Sequence, residues 1–348
     1  MADGFIRVLL AEDSPTIRHH LAQVINEIPG LKVVGEARDG VEAVEMAETL
    51  KPDVISMDIR MPRVDGLEAT RRIMSQHPTP IVMVSGLLED EIDLSFQALQ
   101  AGALAVIPKP PARDTPTFSH RQRQLAMTLV AMAGVRVVRR WDRAPGLNGD
   151  TGKIFAVKVD KPEILAIGAS AGGPGALIKF LGALPVDITI PLVIVQHMPD
   201  EFMIGLSRWL GESTLIPVRV AAHKTLLKPG VIYLSPGNAH LTIAREAGRL
   251  MTNLVHERGD HRYQPSVDVL FNSVAAVCGA KSMGMILTGM GDDGADGLLA
   301  MRQVGARTFA QDRASCTVYG MPAAAVERGG VEQVLPLDKL ASAVVKLL

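Results

Sequence analysis

The sequence predicts two α/β domains in one chain, each built on a mostly parallel sheet. Three observations predict it. At about 150 residues per domain, 348 residues make two domains with some chain left over. Short apolar runs alternate with longer amphipathic segments over residues 6–107 and again from 163 onward, the pattern of successive β-α-β units. After Pro108 the alternation stops, and the stretch that follows is rich in basic residues and glycine. The expected boundaries are residues 1–133 for a first domain, 134–160 for a linker and 161–348 for a second domain.

In the first domain, the apolar runs at 6–11, 32–36, 53–57, 80–84 and 104–107 are the expected strands. Between them 15–28, 40–50, 66–76 and 90–101 carry helical spacing, with Ser14 placed to cap the first helix and Gly102 just past the end of the fourth. Five strands with helices between them make one doubly wound domain. A further helix over 119–133, apolar at Leu125, Met127, Leu129, Val130 and Met132, closes it. In the second domain the expected strands are 164–168, 191–196, 217–221, VIYLS, HLTIA, 283–288, ARTFA and EQVLP, several of them able to pair as hairpins. Helical segments fall at 174–183, 202–211, 266–279, 295–304, 320–328 and 338–347.

A composition of 47% hydrophobic and 21% charged residues, with mean hydropathy +0.20, describes a globular chain and excludes a disordered one. The net charge of −1 argues against a strongly basic, nucleic-acid-binding protein, although it is an average. Residues 1–110 hold 10 basic and 17 acidic side chains, 111–160 hold 9 and 4, and the remainder 17 and 16. An acidic domain beside a basic connector suits intramolecular docking. The arginines at 121, 123, 136, 139, 140 and 143 read as a solvated basic helix and linker, since no helix-turn-helix follows them. With 4% aromatic residues, a base-stacking platform has little to be built from. No apolar run of about 18 residues and no secretory pattern is present, so the expectation is a cytoplasmic protein without membrane insertion. Cys278 and Cys316 have no metal-type spacing and read as buried thiols.

Functional groups in open α/β sheets gather at the carboxyl ends of the strands. In the first domain these ends carry Glu12 and Asp13, Asp58, Ser85 and Lys109. Three converging carboxylates repel one another unless a cation lies among them, and an all-oxygen set suits Mg²⁺. A metal, a lysine and a hydroxyl donor around an aspartate are what acceptance of a phosphoryl group requires.

In the second domain, ILAIGASAGGPG runs from a strand through a glycine-rich turn into a helix. A dinucleotide motif needs glycine where Ser170 stands and a carboxylate closing the next strand, but that strand ends in Gln196 and His197. The stretch Gly168 to Gly172 instead fits G-x-S-x-G, which projects a serine from a sharp turn. His197 then falls at the same sheet edge as a general base, and MGMILTGMGDD brings Asp292 and Asp293 there to orient an imidazole.

Through LLAEDS, SMDIRMPRVDG, VMVSG and IPKP, residues 1 to about 130 resemble a two-component receiver domain of flavodoxin-like fold. The resemblance implies Asp58 as phosphoacceptor, Glu12 and Asp13 beside it as Mg²⁺ ligands, Ser85 as switch hydroxyl and Lys109 as the phosphoryl-sensing lysine. It implies a chemotaxis histidine kinase as phosphodonor. Receivers often carry an aromatic residue three positions before the lysine, where this chain has Val106. From about 160 onward, IGASAGGP, VIVQHMP, LSPGNAHL, QPSVDVLFNSVA and LTGMGDDGADG resemble the catalytic domain of the chemotaxis methylesterases, the CheB family. That resemblance implies Ser170 as nucleophile, His197 as base, Asp293 as orienting acid and the Met290 N–H as oxyanion donor, with Ala171 where the family often has threonine. It further implies cofactor-free hydrolysis of glutamyl γ-methyl esters on methyl-accepting chemoreceptors, deamidation of receptor glutamines, and control by phosphorylation.

Overall fold

The computed structural model of the protein describes residues 4–86, 89–135, 137, 161–257, 259 and 261–348, with Glu89 and Asp90 by backbone only. Most of the expected linker, including Arg136, Arg139, Arg140 and Arg143, lies outside the described residues.

The first unit alternates β1 (Ile6–Ala11), α1 (Pro15–Asn26), β2 (Leu31–Ala37), α2 (Gly40–Leu50), β3 (Val54–Met57), α3 (Gly66–Gln76), β4 (Ile81–Ser85), α4 (Glu89–Ala101), β5 (Ala105–Pro108) and α5 (Phe118–Ala133). Its strands form one parallel sheet in the order β2-β1-β3-β4-β5. Helices cover both faces, so β3 and β4 are buried along their whole length. Ser14 caps α1 by accepting from Ile17 N. Gly102 ends α4 with φ +121°.

The second unit contains β6 (Ile164–Ala169), α6 (Gly173–Leu181), β7 (Leu192–Gln196), α7 (Met203–Ser213), β8 (Val218–Val220), β9 (Ile232–Leu234), β10 (His240–Glu246), β11 (Arg249–Val255), α8 (Val267–Cys278), β12 (Ser282–Ile286), α9 (Ala295–Gln303), β13 (Arg307–Gln311), α10 (Met321–Glu327), β14 (Gln333–Leu335) and α11 (Leu337–Val345). Seven strands form a parallel sheet in the order β14-β13-β12-β6-β7-β9-β8. The central strands β12, β6 and β7 are fully buried, which fixes their carboxyl ends firmly beside one another.

The structure adds one strand and corrects one expectation. The strand partner of HLTIA was not foreseen: β10 and β11 form a separate antiparallel hairpin. Arg249, Thr252 and Asn253 interrupt the apolar pattern of β11, and the turn signal is Ala247-Gly248, both at positive φ, as a two-residue hairpin turn requires. Cys278 is buried as expected, whereas Cys316 is only partly buried, in the loop after β13.

Candidate functional site

The ends of β1, β3 and β5 bring the acidic residues of the first domain together. Ligand oxygens of Glu12, Asp13 and Asp58 lie within 4.8 Å of one another, Glu12 and Asp58 buried and Asp13 exposed. Lys109 Nζ reaches Glu12 Oε2 and Asp58 Oδ1, each at 2.9 Å, and Ile59 N donates to Asp58 Oδ1 at 2.8 Å. Burial raises the carboxyl of Asp58 above the ordinary aspartate value against the pull of Lys109. Burial, and then the Asp58 charge, raise Glu12. Burial disfavours the Lys109 ammonium, yet Asp58 and Glu12 hold it above the ordinary lysine value. Hard oxygen donors whose ionised forms are penalised by burial suit a divalent cation, so the residues fit Mg²⁺. Ser85 stands at the end of β4 on the same edge, but its hydroxyl bonds Gly86 O at 3.0 Å and Glu91 Oε2 at 3.4 Å rather than Asp58.

In the second domain the edge after β6, β7 and β12 collects the predicted residues. Ser170 follows β6 in a turn whose next glycine, Gly172, has φ +75°. A Cβ there would lie 2.5 Å from Thr317. The loop after β12 approaches so closely that a Cβ on Gly289 would lie 2.8 Å from Ser170 Cβ. His197 Nε2 donates to Asp293 Oδ2 at 2.7 Å. Asp293 also accepts from Ser266 Oγ at 2.8 Å, Val267 N at 2.7 Å and Asp268 N at 3.1 Å, a carboxylate at the N-terminus of α8. Burial pushes this carboxyl up, but the donors, His197 first, outweigh it and hold it below the ordinary aspartate value. An ionised, fully hydrogen-bonded Asp293 fixes the imidazole so that Nδ1 is the nitrogen left to act as base. The pair Asp292 and Asp293 is thereby resolved: Asp292 turns away to Arg328 at 2.8 Å.

Ser170, His197 and Met290 line one cavity of about 100 Å³. No hydrogen bond among the described residues joins Ser170 to His197, a looseness common before substrate enters. Further walls come from both domains, Gln196 and Pro199 from the second and Val106, Ile107, Thr128 and Met132 from the first. Around the cavity α4 packs on α7. Phe96 stacks on Trp209 with centroids 5.3 Å apart, and Arg208 pairs with Asp93 at 3.0 Å. Arg121 of α5 pairs with Glu201. Sequence reasoning missed Ser266, which supports Asp293, and Tyr263, which stacks on His197. Both contacts are tertiary, and no local spacing signals them.

A serine, a histidine and a buried carboxylate at one parallel-sheet edge, behind a domain with an aspartate in a lysine-bridged acidic pocket, define a response regulator with a hydrolase output. Residues 165–344 match the family model for CheB methylesterase, and residues 8–116 match the response regulator receiver domain. The chain belongs to the CheB methylesterase family. The protein-glutamate methylesterase/protein-glutamine glutaminase 4 of Myxococcus xanthus is 46% identical over 344 residues, covering 98% of this chain and 97% of that protein. The enzyme numbered 3 under the same name in Anaeromyxobacter dehalogenans is 42% identical over 336 residues, covering 97% of each. Among solved structures, the Thermotoga maritima CheB methylesterase catalytic domain is 32% identical, covers 54% of this chain and 100% of its own, and has a TM-score of 0.53. No helix among the described residues is long and apolar enough to cross a membrane.

Proposed function

We propose that the protein is a phosphorylation-controlled protein-glutamate methylesterase and protein-glutamine glutaminase that acts on methyl-accepting chemoreceptors in the cytoplasm. The observation that carries the proposal is the 2.7 Å bond from His197 Nε2 to Asp293 beside a cavity shared with Ser170. Ser170 Oγ attacks the γ-carbonyl of a methylated glutamate while His197 Nδ1 takes its proton. The Met290 N–H receives the charge on the carbonyl oxygen, a contribution of about 10² to 10³ in turnover. His197 returns the proton to the departing methoxide, releasing methanol and leaving an acyl-serine. Water, deprotonated by the same nitrogen, then cleaves the acyl-serine to glutamate and free Ser170. With a glutamine substrate the leaving group is ammonia and the product is the same.

Asp58 accepts a phosphoryl group from a chemotaxis histidine kinase. Glu12, Asp13 and Asp58 would hold Mg²⁺, which would neutralise phosphoryl oxygens during transfer. Lys109 supplies a fixed positive charge, and Ser85 a hydroxyl that leaves Glu91 for the phosphoryl group. The first domain closes over the Ser170 edge when unphosphorylated, a reading supported by the first-domain residues Val106, Ile107, Thr128 and Met132 that wall the cavity at Ser170.

Methanol release from a methylated receptor fragment, measured for wild type, Ser170→Ala and Asp58→Asn with and without a small phosphodonor, tests the proposal. Release should vanish in Ser170→Ala and lose its response to phosphodonor in Asp58→Asn. Absence of release from wild type under every condition would sink it.

A further inference from the structure

Tyr263 belongs to no catalytic motif, yet it touches two parts of the site at once. Its ring lies on the imidazole of His197, with centroids 5.0 Å apart and planes 9° from parallel. Its hydroxyl lies against the loop after β12: a Cβ built on Gly291 would stand 2.6 Å from Tyr263 Oη. Gly291 itself has φ +88°, next to Met290. The Arg262 guanidinium is 5.5 Å from the centroid of the Tyr263 ring. Burial, with the charges of Asp292 and Asp293, raises the phenol against the opposing pull of Arg262. The phenol is therefore neutral at physiological pH, and its role is that of a surface rather than of a base.

A hydrogen bond to Asp293 fixes one nitrogen of His197 but leaves the ring free to swing about that contact. A flat partner removes this freedom, because stacked aromatic rings resist tilting. We propose that Tyr263 is a positioning residue: it holds the His197 ring in the orientation that turns Nδ1 toward Ser170, and it buttresses Gly291 beside the oxyanion donor of Met290. The inference rests on the esterase reading above. Misplacing a reacting group by about 1 Å can cost about 10²-fold in rate, so the effect belongs in turnover and not in substrate affinity.

The test uses the full chain with a small phosphodonor and compares wild type, Tyr263→Phe and Tyr263→Leu. Tyr263→Leu should lower kcat about 10- to 100-fold with KM within about twofold, and Tyr263→Phe, which keeps the ring, should recover to within about threefold of wild type. In histidine-labelled protein, the His197 ring protons should be shifted upfield by the Tyr263 face in wild type and Tyr263→Phe, and move downfield in Tyr263→Leu. An unchanged kcat in Tyr263→Leu, a loss that phenylalanine does not recover, or unmoved His197 resonances would each overturn the proposal. A wild type that releases no methanol would remove the esterase reading, and the resonances alone would then decide whether Tyr263 holds the ring.

Discussion

Gly205 on α7 offers a direct way to unseat the first domain. A Cβ at this position would lie 2.4 Å from Ile92 Cγ2 and 2.9 Å from Phe96 Cε2, both on α4. Gly205→Ala therefore has two opposed effects. Within α7 alanine is worth roughly 0.5–1 kcal/mol over glycine, so the second domain gains. At the contact with α4, an added methyl in a packed interface costs about 1–3 kcal/mol, and Phe96, wholly buried, has little room to yield. Separation of the domains relieves that cost without disturbing either core. The closed arrangement should thus lose about 5- to 150-fold in population relative to the open one. In an Asp58→Asn background, where phosphorylation cannot contribute, methanol release by Gly205→Ala should rise at least about fivefold, up to the ceiling set by phosphorylated wild type. If release stays at the basal rate while the thermal midpoint rises, the helix gain has come without the steric cost. The α4 to α7 contact would then not be what keeps the site closed.

Gly172→Ala should lower turnover about tenfold or more, because the residue must keep φ +75° and its methyl would meet Thr317 beside the Ser170 turn; steady-state kinetics with a thermal-melt control check it. Lys109→Gln should destabilise the first domain, and more at pH 7 than at pH 5. Burial raises Glu12 and Asp58, so the native state holds their protons longer than the unfolded chain and loses stability as pH rises. Millimolar Mg²⁺ should restore the thermal midpoint. Asp268 is pushed up from 3.8 to about 6, by burial first and then by the charge of Asp293. Stability of the wild type should therefore fall as pH climbs between those values, and level off above them. Asp268→Asn, which can still accept from Gly297 N, should flatten that slope in midpoints measured from pH 4 to 7.

The sequence was most legible where chemistry and local structure coincide. Helices α2 and α3 begin and end where their spacing and their caps, Asp39 and Asp65, require. Ser170, His197 and Asp293 could be grouped because each follows an apolar run, and a parallel sheet puts such positions on one edge. What escaped depends on contacts between distant segments. The stretch β11 is polar on one side because it pairs outside the main sheet, so its pattern resembles a loop. Ser266 and Tyr263 reach the site from the segment before α8 only once the chain has folded. Ser85 stands on the sheet edge where the sequence places it, and its bond to Glu91, from the start of α4, is again a contact that no local spacing signals.

The space between the domains bears on what can fill the contact over Ser170. A cavity of about 100 Å³ edged by Thr128, Gln196, His197 and Ser170 has room and polar partners for several water molecules. The contact over Ser170 can thus admit water in its middle, while Phe96 and Trp209 pack ring on ring beside it. Val106 lines that volume with a small side chain, leaving open to solvent a space that a larger ring would fill.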